Sequence, residues 1–143
     1  MRLILQMGSS TRFDCALGSH GLMRRAFTVA FYHALQRQAF GKPLAEQPLM
    51  RQVLAKMALR LEGQTSLLFR LCRSWEMPHV QGEKLFGRLM TPAVKYSICK
   101  QGVPFVAEAM EALGGIGYCE DSELPRLYRE APVNSIWEGS GNI

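Results

Sequence analysis

The chain has 143 residues, 48% of them hydrophobic and 20% charged, with a net charge of +5. That composition suits one globular domain with a real core and excludes a disordered segment. The positive charges stand in pairs such as Arg24-Arg25, or singly as at Arg51, Lys56 and Arg60, so without a basic run these residues alone make no nucleic-acid footprint.

The opening "MRLILQM" holds one charge and a short apolar stretch, too short for the core of a signal peptide or for a bilayer span. From Phe13 to Leu35 the apolar residues Phe13, Ala16, Leu17, Met23, Phe27, Ala30, Phe31, Ala34 and Leu35 recur at helical spacing, which predicts a long amphipathic helix. Gly41 and Pro43 break that pattern, and Pro48 suits the first turn of a second helix. Leu49, Val53, Leu54, Met57, Leu61, Thr65, Leu68 and Cys72 share one side of it, and Pro78 and Gly82 mark the loop that follows. A third run lasts from near Glu83 to Leu113, where "GGIGY" stops it; Pro92 and Pro104 are expected to start or kink it. Asp121 or Ser122 is placed to cap a short helix over Leu124 to Arg129, closed by Pro132. The final "WEGSGNI" reads as the opening of a further helix, and residues 1–143 as one domain of a longer chain, cut at both ends.

No alternating β-branched run is present, so the fold class is all-α, an antiparallel helical bundle. Its core is expected to include Phe27, Phe31, Val53, Met57, Leu61, Leu68, Val106 and Met110. Cys15, Cys72, Cys99 and Cys119 form no CxxC pair and read as free thiols of a reducing compartment, with no metal site. His20, His33 and His79 show no ligand spacing and read as packing or surface residues.

Glu138 is the single charge in "NSIWEGSGNI". A glutamate with its ordinary pKa of about 4.3 is too weak a base for a carbon acid. Desolvation by Ile136 and Trp137 would strengthen it, and Gly139 would let a substrate approach closely. Read locally, Glu138 equally suits a capping acid in the first turn of a helix.

Three stretches in order, "RQAFGKPLAEQ", "EALGGIGY" and "LYREAPVNSIWEGSGNI", resemble the C-terminal helical domain of the acyl-CoA dehydrogenase family over nearly the whole chain. Within it, "TRFDCALGSHGLMRRAF" and "PVNSIWEGSGNI" are most similar to the flavoprotein branch induced in the bacterial adaptive response to DNA alkylation. The resemblance implies FAD-dependent α,β-dehydrogenation of an acyl-CoA thioester. Glu138 would take the α-proton while hydride passes to FAD. It implies that Arg37 and Phe40 touch the FAD of a neighbouring subunit with Gln47 nearby, and that Gly114 and Gly115 turn against its adenine side. Glu111 stands before that turn where many members carry glutamine, Ser140 and Asn142 lie beside the flavin diphosphate, and Arg12 and Gly139 face the acyl-CoA.

Each position also has a plainer reading. Arg37 suits a helix C-terminus, Gln47 a helix cap, Gly114-Gly115 an ordinary helix stop and Arg12 an exposed position before a helix. Trp137 replaces the family's usual tyrosine and would reshape the acyl pocket. The resemblance further implies a homo-oligomer, a dimer of dimers, in the cytoplasm, or in the mitochondrion of a eukaryote, with no membrane partner. The alternative is a flavin-containing DNA-binding protein that protects against alkylation damage, its DNA contacts lying beyond Ile143. A third option is a bundle that serves assembly alone.

Overall fold

The computed structural model of the protein describes residues 2–140 and 142, the first five of them by backbone alone. Three long helices, α1 (Arg2–Gln36), α2 (Pro48–Glu76) and α3 (Gln81–Leu113), form the expected antiparallel bundle. The short α4 (Gly115–Tyr118), α5 (Leu124–Glu130) and α6 (Val133–Ile136) then fold back onto it.

The first helix starts at Arg2, well before Phe13. Gly8, Ser9, Ser10 and Thr11 hide the apolar periodicity there, yet the helix runs through them without a break. The face that α1 turns inward is made of small residues, Ala16, Ser19, Ala26, Ala30 and Ala34 around Met23, which let it lie close along α3. Of the expected core, Met57, Leu61, Leu68 and Val106 are buried, whereas Phe27, Val53 and Met110 are half-buried and Phe31 is 39% exposed. Phe27 and Phe31 instead stack on each other at the margin, ring centres 5.7 Å apart.

Pro48 occupies the first turn of α2 as expected. Neither Pro92 nor Pro104 starts α3; both lie inside it. Each is exposed, as are Arg88 and Lys100 four residues before them, so the carbonyls left without a donor are open to water. A polar layer crosses the bundle, with His20 between Gln64 (3.2 Å) and Thr65 (3.1 Å), and Gln64 donating to Gln101 (3.3 Å). Arg70 grips Glu83 with both guanidinium arms, at 2.8 and 3.2 Å, and covers the Phe86 ring, pinning the end of α2 to the start of α3.

Where the sequence predicts a simple break, a two-stranded hairpin forms, β1 (Gln38–Ala39) on β2 (Lys42–Pro43). Phe40 and Gly41 make its turn with φ of 53° and 81°, the left-handed pair that a tight hairpin requires. Gln47 sits at the start of α2 but does not cap it; its amide donates 2.9 Å to the Ala39 carbonyl and ties the hairpin down. Of the two candidate caps before α5, Ser122 accepts the Leu124 N–H at 3.2 Å.

Candidate functional site

Among the described residues after Ile136 the chain opens no new helix. After the single turn of α6, Trp137 is extended, Glu138 has φ 58° and Gly139 has φ 99°. Glu138 therefore follows a helix C-terminus, where the dipole disfavours a carboxylate, and the capping reading is overturned.

Left-handed backbone at a non-glycine residue costs about 1–2 kcal/mol, so something must hold it. Lys95, on α3 and only 4% exposed, reaches the loop with its ammonium and donates to the carbonyls of Trp137 (2.5 Å) and Gly139 (2.6 Å). Arg12, on α1, donates through Nε to the carbonyl between them, that of Glu138, at 2.9 Å. Arg12 thus acquires a partner that the sequence reading did not assign to it. The Thr11 hydroxyl lies 2.8 Å from Glu138 Oε2 and can donate to it. Trp137 donates its indole N–H to buried Asn134 at 3.2 Å. A Cβ on Gly139 would come within 3.3 Å of Arg12 Nη2, so glycine serves here both for its backbone angle and to let the guanidinium pass.

The expected apolar shell around Glu138 is absent among the described residues. Glu138 is exposed, and Ile136 and Trp137 beside it are 62% and 54% exposed. Beneath the loop lie Cys15 and Cys99, the Cys99 thiol 3.5 Å from the Cys15 carbonyl oxygen. Burial pushes both thiols up, while the Lys95 charge acts against the shift.

The candidate residues outside the last stretch of the chain form two further groups. Arg37 follows α1 directly, exposed, and its guanidinium has no hydrogen bond or ion pair among the described residues; Phe40 is 97% exposed, with Gln47 behind the same turn. Glu111, exposed, gives its carbonyl to the N–H of Gly114, whose φ of 71° ends α3, and Gly115 begins α4. Glu111 and Gly114 line an open cleft of about 660 Å³ with Met110, Tyr118 and Tyr128. Ser140 accepts the Asn142 N–H at 3.4 Å, and Gly141 and Ile143, which belong to the same motif, lie outside the described residues. The structure brings Arg12, Glu138 and Gly139 together. No hydrogen bond or ion pair among the described residues links that group to the other two.

The family model for the acyl-CoA dehydrogenase C-terminal domain matches residues 1–143. The chain belongs to the acyl-CoA dehydrogenase family. It is 71% identical over its whole length to AidB of Escherichia coli (strain K12), an acyl-CoA dehydrogenase homologue, and covers 26% of that protein. To acyl-CoA dehydrogenase family member 11 of Caenorhabditis elegans it is 38% identical, over 98% of this chain and 23% of the relative. The chain thus spans about a quarter of the length of these curated relatives. Among solved structures, Caenorhabditis elegans ACDH-11 in complex with C11-CoA superposes with a TM-score of 0.93 over 97% of this chain and 24% of that one, at 38% identity. Butyryl-CoA dehydrogenase from Megasphaera elsdenii shares the fold, with a TM-score of 0.86 at 22% identity, over 99% of this chain and 35% of that one.

Within this acyl-CoA dehydrogenase domain, Lys95, Thr11 and Asn134 escaped the sequence reading. A lysine between Val94 and Ile98 on a helix face that is otherwise apolar was the available signal for the first. Thr11 and Asn134 carried none. Among the described residues no helix is long and apolar enough to cross a membrane.

Proposed function

We propose that the whole protein to which this domain belongs is an FAD-dependent acyl-CoA dehydrogenase in which Glu138 removes the α-proton of an acyl-CoA thioester. The observation that carries this reading is the loop at 137–139, where one carboxylate is presented from left-handed backbone held by Lys95 and Arg12. A loop that served packing alone would have no use for that strain. Thr11 orients the carboxylate by donating to one oxygen and leaves the other free to accept a proton. Gly139, without a Cβ, keeps the approach beside it open.

FAD fits two side chains that have no hydrogen bond or ring contact among the described residues, Arg37 and Phe40. An exposed guanidinium at Arg37 suits a diphosphate, and the uncovered ring of Phe40 suits a planar aromatic system. Gln47 keeps the Phe40 turn in place, Gly114 and Gly115 offer backbone beside an adenosine, and Ser140 and Asn142 offer polar groups near Glu138. Glu111 requires a cation beside it in such a site. When bound, FAD would supply the acceptor for a hydride from the β-carbon, and Glu138 would take the α-proton. In this reading the protein is a cytoplasmic homo-oligomer, a dimer of dimers, because residues that open outward from one chain complete the cofactor site of a neighbour. The same neighbour and the rest of the chain supply the apolar shell that Glu138 lacks.

The competing reading is a flavin-containing protein that binds DNA and protects it from alkylation, with a weak dehydrogenase site. Trp137 in place of the family's tyrosine favours it, since a larger ring narrows the space for an acyl chain. Its DNA contacts would lie outside this domain.

Stopped-flow reduction of the intact protein by a panel of acyl-CoAs tests the first reading. Glu138→Gln should keep its flavin and its melting temperature while reduction slows roughly 10²- to 10⁴-fold. If no acyl-CoA reduces the wild type, the dehydrogenase reading fails and duplex DNA binding across a salt series becomes the measurement of interest.

A further inference from the structure

We infer that Lys95 is a positioning residue for Glu138, its buried ammonium fixing the left-handed loop that presents the carboxylate. The inference rests on the reading of Glu138 as the base, and it concerns a residue outside the family motif at the end of the chain.

An ammonium in a helical core is costly unless its donors are taken up. Position 95 is flanked on α3 by buried Val94, Ile98 and Cys99, so a bundle built for stability alone would place an apolar side chain there. The lysine instead spends two donors on the carbonyls on either side of Glu138, at 2.5 and 2.6 Å. Those two carbonyls converge on α3 while the one between them is taken from α1 by Arg12 at 2.9 Å. Two cations from different helices thereby hold three successive carbonyls. Little else does so: beyond the Trp137 N–H on Val133, no backbone–backbone hydrogen bond among the described residues reaches residues 138–140. The positive φ of Glu138 therefore depends on side-chain donors, and Lys95 is the buried one.

The test uses the full-length flavoprotein with Lys95→Met, Glu138→Gln and the double substitution. Lys95→Met should slow flavin reduction at saturating acyl-CoA by roughly 10- to 100-fold, the loss expected of a base displaced by about 1 Å. Flavin content and half-saturation by acyl-CoA should change by less than about twofold. In the double variant reduction should be no slower than in Glu138→Gln, because a residue that acts through Glu138 has nothing left to position. Lys95→Arg, which restores a cation with donors, should recover part of the rate. A crystal structure of Lys95→Met should find Glu138 out of left-handed backbone. An unchanged rate, losses that multiply in the double variant, or a Glu138 loop unmoved in that crystal structure would each overturn the inference. Where Lys95→Met does not accumulate in folded form, Lys95→Gln carries the same measurements. If the wild type is reduced by no acyl-CoA, the base reading fails by itself, and the crystal structure alone decides whether Lys95 holds the loop.

Discussion

The loop around Glu138 and the turn around Phe40 both place a non-glycine residue in left-handed backbone, with φ of 58° and 53°, but the bonds that hold them differ in range. Phe40 is held locally, by the β1–β2 ladder and by Gln47 a few residues on. Its ring is 97% exposed. Glu138 is held from afar, by Lys95 on α3 and by Thr11 and Arg12 on α1. Each strain costs about 1–2 kcal/mol. The difference teaches where each residue's purpose is met. The chain builds the placement of its carboxylate from its own core, whereas no side chain among the described residues covers the ring of Phe40.

Gly139→Val tests the first half of that comparison and should have the larger effect. A β-branched residue at φ 99° is strained, and its Cβ would press on Arg12 Nη2 from 3.3 Å. Urea denaturation should register a loss of about 2 kcal/mol, of the size that strained backbone stores. Flavin reduction should fall with it, since Arg12 and the Glu138 carbonyl would separate. Unchanged stability would mean that the loop is loose and that long-range bonds do not define it.

Phe40→Gly probes the other half and should act in the opposite direction. Relief of the left-handed strain exceeds the extra freedom that glycine has in the unfolded chain, for a net gain of about 0.5 kcal/mol. No burial is lost, because the ring is 97% exposed. The intact protein should nevertheless retain less flavin on gel filtration. A loss of stability instead would mean that the ring packs within its own chain.

How far the sequence could be read follows the same division between local and distant causes. The three long helices were legible because apolar spacing, Pro48 and the Gly114 stop act within a few residues of where they are seen. The core face of α1 was read in part: Ala16, Met23, Ala30 and Ala34 of the expected stripe are buried, but Ser19 and Ala26, which weigh little in hydropathy, were missed, while Leu17, Phe31 and Leu35 imitate a buried stripe from the exposed side. Resemblance to a family marked Glu138, and local chemistry alone left it open between a base and a helix cap. What fixes Glu138 was illegible, since Lys95 lies 42 and 44 residues from the two carbonyls that it grips. No periodicity or spacing rule spans that distance.

A smaller effect separates the loop from the outer ties of the bundle. Arg25 on α1 grips Glu123 before α5 at 2.9 and 2.6 Å, and that hydrogen bonding, with the guanidinium charge, holds the Glu123 carboxyl below the usual carboxylate range against its partial burial. A carboxyl whose pKa is depressed by folding adds stability above its unfolded value, near 4.3, and that stability is lost as pH falls through the lower folded value. Both side chains are open to solvent, at 57% and 34%, so screening limits the contribution to less than about 1 kcal/mol. The acceptors that Lys95 uses are carbonyls, which carry no titratable proton, so the same acid leaves them as acceptors. Urea denaturation of the wild type and Arg25→Leu should therefore differ slightly at pH 7, and the difference should shrink as the pH falls below the unfolded value. A difference that persists undiminished at pH 3 would assign the effect of Arg25 to the packing of its stem on α1, not to its grip on Glu123.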